Sequence, residues 1–140
     1  MVVLDTNVLS AMMGARPEPQ VAAWVAEQAA ESLFTTTVCQ AEILSGIAIL
    51  PAGRRRSALA AAAQGMFDED FAGRLLPFDT VAAAANADMF AARRQAGRPT
   101  TILDLMIAAI ARADSATVVT RDGGGFAGCG VPVVDPWQAL

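Results

Sequence analysis

Apolar residues in this chain alternate between short continuous runs and helical spacings. The valine-rich segments 2–5 and 116–120 are typical of strands that are buried on both faces. Between such segments, apolar residues recur three and four positions apart, as at Val21, Trp24 and Val25, which predicts amphipathic helices. Strands that alternate with helices in this way are typical of an α/β fold with a parallel sheet.

The pattern predicts a definite set of elements, separated by breaks that are rich in proline and glycine. The predicted strands cover residues 2–5, 32–35, 75–78, 116–120 and 131–134. The predicted helices cover about 8–13, 20–30, 37–50, 54–66, 80–94 and 101–113. Residues 67–73 are predicted to form a polar loop and residues 122–125 a turn. Pro132 suits an edge position for the last strand.

Composition favours one globular domain over residues 1–140 without a membrane segment. Hydrophobic residues make up 54% of the chain, which supports a sizeable core and argues against disorder. No uncharged apolar run reaches the roughly 18–20 residues that a membrane span requires. The N-terminus lacks the basic region of a signal peptide, so we expect a cytoplasmic protein. The two cysteines, Cys39 and Cys129, are far apart in the sequence and are expected to be core thiols.

The residue types that are absent exclude several kinds of chemistry. The chain has no His, and its 10 basic residues are all arginine. A phosphate-binding P-loop and Schiff-base catalysis both need a Lys. The formal net charge of −4 disfavours nucleic-acid binding by bulk electrostatics, so phosphate contacts must come from particular arginines.

Three aspartates lie where a parallel sheet can bring distant residues together. Asp5 follows the first strand, Asp122 follows the fourth, and Asp104 lies in the first turn of the last helix. Ligands of parallel sheets bind beyond the carboxyl ends of the strands, so we expect these side chains to converge. Clustered carboxylates in a chain without His indicate a hard metal ion such as Mg²⁺ or Mn²⁺.

Each of these acids also has an ordinary structural interpretation. Asp5 could cap the helix that follows it. The spacing Thr101-x-x-Asp104 fits a capping box. Asp122 before a glycine fits a common turn. Taken singly, none of the three requires a metal ion, whereas one shared site would explain them all.

Glu42 is the acid that is hardest to explain structurally. It lies in the middle of a predicted helix, between Ala41 and Ile43, in a segment that is otherwise suited to burial. A buried carboxylate without a cation is costly, and a metal ion would remove that cost. The alternative interpretation is that Glu42 lies on a narrow solvated stripe of the helix.

Four sequence blocks, taken in order, resemble the PIN-domain family. They are Val-Val-Leu-Asp5-Thr-Asn-Val-Leu, Ala-Glu42-Ile-Leu-Ser-Gly, Leu-Asp104-Leu-Met-Ile-Ala-Ala-Ile-Ala and Thr-Val-Val-Thr-Arg-Asp122. More narrowly, the chain resembles the VapC-type and FitB-type toxins of bacterial toxin–antitoxin systems. The resemblance covers nearly the whole chain, and its specificity comes from the ordered set, since any one block alone is a weak signal.

The resemblance implies a three-layer α/β/α domain with a short, mostly parallel twisted sheet, and a metal-dependent endoribonuclease toxin that acts on RNA. It also implies a homodimer and a cognate antitoxin that neutralises the toxin in a hetero-oligomer. The family's catalytic and metal-binding acids correspond to Asp5, Glu42, Asp104 and Asp122. Asn7 matches a polar residue that supports the first acid, and Thr120 matches a Ser/Thr position beside the last.

One position departs from the family pattern. Many members have an Asp directly before the Phe that is Phe126 here, whereas this chain has Gly125. Either Asp122 serves as the fourth acid, as in FitB-like members, or the site has only three. The second metal position therefore stays open at this point.

The residues present imply a mechanism that uses metal ions. Phosphodiester hydrolysis needs an activated water, neutralised phosphoryl oxygens and help for the leaving oxygen. A pair of ions about 4 Å apart can provide all three without His or Lys. Asp5, Asp104 and Asp122 are predicted to be direct or water-mediated ligands, with Glu42 binding a second ion or orienting water. We expect products with 5′-phosphate and 3′-hydroxyl ends.

Several arginines are candidates for contacts with RNA or with acidic antitoxin side chains. The cluster at residues 54–56 begins a helix, where the positive end of the helix dipole disfavours cations unless an anion is bound nearby. The candidates are Arg54, Arg55, Arg56, Arg93, Arg94, Arg98 and Arg121. A solvated charged turn is an equally good interpretation of the cluster.

Other functions that gather acids at strand ends fit the sequence less well. A receiver domain uses a Lys and a pair of acids after the first strand, and this chain has neither. A phosphatase with an aspartyl nucleophile would need an acid in place of Asn7. The remaining alternative is a catalytically weak PIN-like binding protein that acts through a partner complex.

Overall fold

A computed structural model describes residues 1–14 and 16–138, which form a five-stranded sheet with α-helices in the connections. The strands are β1 (Val2–Leu4), β2 (Leu33–Thr36), β3 (Leu75–Leu76), β4 (Thr117–Val119) and β5 (Val133–Val134). The helices are α1 (Thr6–Met12), α2 (Pro19–Ala26), α3 (Thr37–Ala48), α4 (Arg54–Gly65), α5 (Thr80–Gln95), α6 (Ile102–Ala113) and α7 (Gly123–Phe126). The predicted domain, 1–140, also includes Ala15, Ala139 and Leu140, which lie outside the described residues.

The sheet is parallel throughout, in the order β3-β2-β1-β4-β5. In β1 and β4, successive residues are completely buried: Val3 and Leu4 in β1, and Val118 and Val119 in β4. Successive side chains of a strand point to opposite faces, so helices must cover both faces of the sheet. The predicted three-layer α/β fold is therefore confirmed, and β5 lies at an edge, as Pro132 suggested.

Three element predictions differ from the structure by more than two residues at an end or in the type of element. The helix predicted for 20–30 ends at Ala26, where the Gln28 amide donates a hydrogen bond to the carbonyl of Trp24. The segment predicted as a polar loop contains a π-helical turn, Met66–Asp70, because Phe67 and Phe71 are drawn into the core. The predicted glycine turn is the helix α7, which ends at the buried Phe126.

The pairing of β1 with β4 positions the candidate site. Leu4 lies opposite Val119, and the amide of Asp5 donates to the carbonyl of Val119 at 2.9 Å. The first residues beyond the two strands, Asp5 and Thr120, are consequently neighbours at the carboxyl edge of the sheet. None of the helices in the described ranges is long and apolar enough to span a membrane.

Candidate metal-binding site

Asp5 is the most buried of the predicted acids, with 4% of its surface exposed. One carboxylate oxygen accepts a hydrogen bond from the amide of Thr6 at 2.8 Å, and the other accepts from the hydroxyl of Thr120 at 2.7 Å. Burial raises the pKa of Asp5 to about 6; these two hydrogen bonds oppose the rise, and the charges of nearby acids add to it. Asp5 begins α1, so its capping and site interpretations are compatible.

Thr120 is the centre of a hydrogen-bond network that holds Asp5. Its completely buried hydroxyl donates to Asp5 and accepts from the Asn7 side-chain amide and from the Asp122 backbone amide, each at 3.0 Å. The other end of the Asn7 amide accepts from the backbone of Arg121 at 3.3 Å. Every hydrogen-bonding position of the hydroxyl is therefore used.

Glu42 lies beside Asp5, on the second turn of α3. The hydroxyl of Thr6 donates to a Glu42 carboxylate oxygen at 2.8 Å. Glu42 is half-buried, between the buried Ile43 and an exposed face that includes Ile49, which is 84% exposed. The expectation that this segment is built for burial is thus only partly correct, because one face of α3 is open to solvent.

Cys39 is a neighbour of the acids that the sequence did not indicate. Its sulfur lies 4.0 Å from an oxygen of Asp5, and ligand atoms of Asp5, Cys39 and Glu42 all lie within 4.8 Å of one another. Burial, and then the charge of Asp5, raise the pKa of the Cys39 thiol to about 11. In the metal-free protein the thiol is therefore protonated at neutral pH.

Asp104 and Asp122 form a second pair of acids. The hydroxyl of Thr101 caps α6 by accepting from the Asp104 amide at 3.2 Å, so the backbone does form the predicted cap. An oxygen of Asp104 and one of Asp122 lie 3.2 Å and 3.1 Å from the point that a Cβ on Gly125 would occupy. The two oxygens are thus no farther apart than the sum of these distances. The Asp122 side chain makes no capping bond to α7.

The four predicted acids therefore lie at one edge of the sheet as two adjacent pairs. The inner pair is Asp5 with Glu42, and the outer pair is Asp104 with Asp122. The pairs are electrostatically linked, because the charge of Asp104 contributes to the raised pKa of Asp5. Carboxylate oxygens that lie close to one another suit a hard divalent cation, which would relieve their repulsion.

The candidate arginines differ in how free they are to bind a partner. Arg93 is only 7% exposed and donates to the carbonyl of Ala127, so the fold leaves little of its side chain accessible to RNA or an antitoxin. Arg121 lies over the ring of Trp137 at 4.1 Å and within 3.6 Å of Glu18. Six candidates keep accessible side chains: Arg54, Arg55, Arg56, Arg94, Arg98 and Arg121.

An open groove of about 640 Å³ leads away from the inner pair of acids. Residues of α1, α3 and α4 line it, and its apolar wall includes Ile43, Ile47 and Leu59. Glu42 and Arg55 are the charged residues of its lining. The groove therefore joins an apolar surface to the edge of the acid site.

Comparisons with known proteins identify related chains. A family model described as the PIN domain matches residues 2–127. The plasmid stability protein StbB of Pseudomonas syringae is 40% identical over 99% of this chain and 100% of its own length. The VapC ribonuclease Y4jK of Sinorhizobium fredii is 38% identical, and toxin FitB of Neisseria gonorrhoeae is 35% identical. Each of these two matches covers 99% of both chains.

The structure also resembles solved toxin–antitoxin complexes. A chain in the structure of FitAB bound to the IR36 DNA fragment superposes with a TM-score of 0.92 and is 34% identical. That match covers 100% of the present chain and 98% of the other.

The raised pKa of Asp5 predicts a pH-dependent stability for the metal-free protein. Because the folded state favours the protonated carboxyl, this stabilisation is complete below the ordinary value of 3.8 and is lost as the pH rises through about 6. We expect the unfolding free energy of the wild type to fall across this window by roughly 2–3 kcal/mol relative to Asp5→Asn.

Urea unfolding at a series of pH values, in the presence of a chelator, measures this difference. Acids elsewhere in the chain titrate in both proteins and cancel, whereas the interaction of Asp5 with Glu42 and Asp104 is part of the difference that is measured. The Asn side chain can accept only one of the two hydrogen bonds, which shifts the variant's stability by an amount independent of pH. Parallel curves for the two proteins would show that Asp5 titrates normally.

Thr120→Val tests the network around Asp5. Valine has a similar shape but removes one hydrogen bond each from Asp5, Asn7 and the Asp122 amide, so we expect a loss of about 1–3 kcal/mol in unfolding free energy. Thr120→Ser keeps the hydroxyl and should recover most of that loss. If urea unfolding shows that Thr120→Ser is destabilised and Thr120→Val is not, the methyl group rather than the hydroxyl matters.

Proposed function

Because the chain belongs to the PIN-domain family, we propose that it is a metal-dependent endoribonuclease toxin that a cognate antitoxin neutralises. Relatives that cover almost the whole chain are named as a VapC ribonuclease and as toxin FitB. The single observation that carries the proposal is the assembly of Asp5, Glu42, Asp104 and Asp122 at one edge of the sheet. A cytoplasmic location remains part of the proposal.

The four acids would hold Mg²⁺ or Mn²⁺. Their oxygens match the ligand preference of these hard ions, which favour carboxylates over the neighbouring thiol of Cys39. When bound, the ions would acidify a water molecule and neutralise charge on the phosphoryl oxygens. Asp5 is already fixed by two hydrogen bonds, so little ordering is needed to make it a ligand.

Uncharged residues around the acids would orient them. Thr120 holds Asp5 from one side, and Asn7 fixes both Thr120 and the backbone that leads to Asp122. Thr6 holds Glu42 through its hydroxyl, which leaves the second oxygen of Glu42 to orient the attacking water or to bind cation. This arrangement preorganises the site before substrate binds.

Accessible arginines would supply phosphate contacts for RNA. Arg94 and Arg98 are exposed near the start of α6, which carries Asp104. The net charge of −4 makes such local contacts necessary, because the protein as a whole repels a polyanion. We therefore propose that RNA approaches from the side of the outer acid pair.

Cleavage of purified RNA tests this function directly. We expect the wild type to cleave total RNA with Mg²⁺ or Mn²⁺, to lose activity with chelator, and to leave 5′-phosphate and 3′-hydroxyl ends. Asp5→Asn should reduce the rate by roughly 10²-fold or more, since charge stabilisation in the site is lost. End mapping of the products and time courses provide the measurement.

The outcome also separates nuclease from binding protein. Equal cleavage by Asp5→Asn, or products with 2′,3′-cyclic phosphate, would contradict the assigned site. Absence of metal-dependent cleavage, together with a stable partner complex, would favour a catalytically weak PIN-like binding protein.

We propose that a segment of the antitoxin occupies the groove between α1, α3 and α4. The groove is mainly apolar, and it reaches Glu42 at the acid site, so a partner there would also obstruct access to the acids. Its charges call for an amphipathic segment with a cation facing Glu42 and an acid facing Arg55. The homodimer also stays a proposal, for which the exposed Phe90 and Ile102 offer apolar surface.

Two substitutions on the same helix test the groove. Gly46 lines it, is exposed, and has nothing within 4 Å of an added Cβ, whereas Ala48 is exposed outside the groove. We expect Gly46→Gln to weaken co-purification with the co-expressed product of the neighbouring open reading frame, and Ala48→Gln to have no effect. Equal retention of the partner by both variants would exclude the groove.

A further inference from the structure

Gly125 is distinguished from its two glycine neighbours by what surrounds it. A Cβ on Gly123 or on Gly124 would meet its nearest neighbour at 3.9 Å, which is ordinary contact. A Cβ on Gly125 would lie 3.1 Å from an oxygen of Asp122 and 3.2 Å from an oxygen of Asp104. Only the last glycine of the run therefore faces two of the proposed site acids.

The backbone of Gly125 is held in place from several directions. Its amide donates to the carbonyl of Asp122 at 3.2 Å, and its carbonyl accepts from the hydroxyl of Thr100 at 3.0 Å. The next residue, Phe126, has one of the largest completely buried side chains of the described residues. The backbone consequently cannot retreat from the acids without disturbing the core.

Glycine is not needed here for its conformational freedom. The described glycines with a positive φ do not include Gly125, so the backbone conformation would accept any L residue. The reason for glycine must be space, because both nearest atoms are the carboxylate oxygens of Asp104 and Asp122. An added methyl group would displace these oxygens rather than strain the chain.

We propose that Gly125 is a positioning residue that sets the separation of the Asp104 and Asp122 carboxylates and so the affinity of the site for a divalent cation. This inference rests on the proposed function, because it concerns the same four acids. It also explains how Asp122 can be the fourth acid of the site in a chain that has no acid at position 125. The Asp122 carboxylate fills the space that a side chain on residue 125 would take.

Gly125→Ala and Gly124→Ala form a matched pair that tests the inference. Both variants add one methyl group to the same turn of α7, but only the first crowds the carboxylates. Binding of Mn²⁺ is measured by electron paramagnetic resonance of the free ion. We expect Gly124→Ala to bind like the wild type and Gly125→Ala to bind about 10-fold more weakly or worse.

Thermal unfolding in chelator accompanies the binding measurement. The acid side chains can rotate away from an added methyl group, so we expect the two variants to melt at similar temperatures. A loss of Mn²⁺ affinity at unchanged stability identifies positioning of the acids rather than a general folding defect.

The possible outcomes are separable. Equal affinities of the two alanine variants, in a wild type that does bind Mn²⁺, would overturn the inference and leave the proposed function intact. A wild type that binds no Mn²⁺ would overturn both. If Gly125→Ala does not fold, Asp122→Ala/Gly125→Ala should fold because one crowded oxygen is gone; failure of this double variant as well would place the clash in the backbone and overturn the inference.

Discussion

The site depends on the parallel pairing of β1 with β4, which forces Asp5 and Thr120 together at the carboxyl edge of the sheet. The two residues lie more than a hundred positions apart in the sequence, so no local interaction would bring them together. Once the strands pair, the hydroxyl of Thr120 fixes Asp5 and, through Asn7 and the Asp122 amide, the segment that follows β4. The register of β1 against β4 thus determines how the Asp5 carboxylate is oriented.

The same arrangement creates an electrostatic problem that the rest of the fold must tolerate. Asp5 is buried beside Glu42 and Asp104. Among the described residues, no positively charged side chain contributes to its pKa shift. Only hydrogen bonds from uncharged groups, Thr6 and Thr120, favour its ionised form. A core that includes the fully buried Leu4 and Leu9 supplies the apolar burial that offsets such a local cost. A bound cation would remove the cost and give the site its chemistry.

The sequence predicted the parts of this structure that follow from local pattern. The alternation of strands and helices was enough to predict the parallel sheet. The positions of Asp5 and Asp122 directly after strands were enough to predict a site at the carboxyl edge of that sheet. The helix start at Thr101 was predictable because capping is a short-range interaction.

Features that depend on tertiary packing were not predictable in this way. The polar run Asp68–Asp70 concealed Phe67 and Phe71, whose burial draws a predicted loop into a helical turn. Arg93 was expected to be a surface cation because it belongs to a basic group with Arg94 and Arg98, yet it lies on the face of α5 that is packed against the core. The proximity of Cys39 to Asp5 and the crowding at Gly125 arise between elements, so no spacing along the chain encodes them. The burial of Asp5 and the crowding at Gly125 therefore both result from how the sheet and helices pack. The residues that control these two features need not be acids.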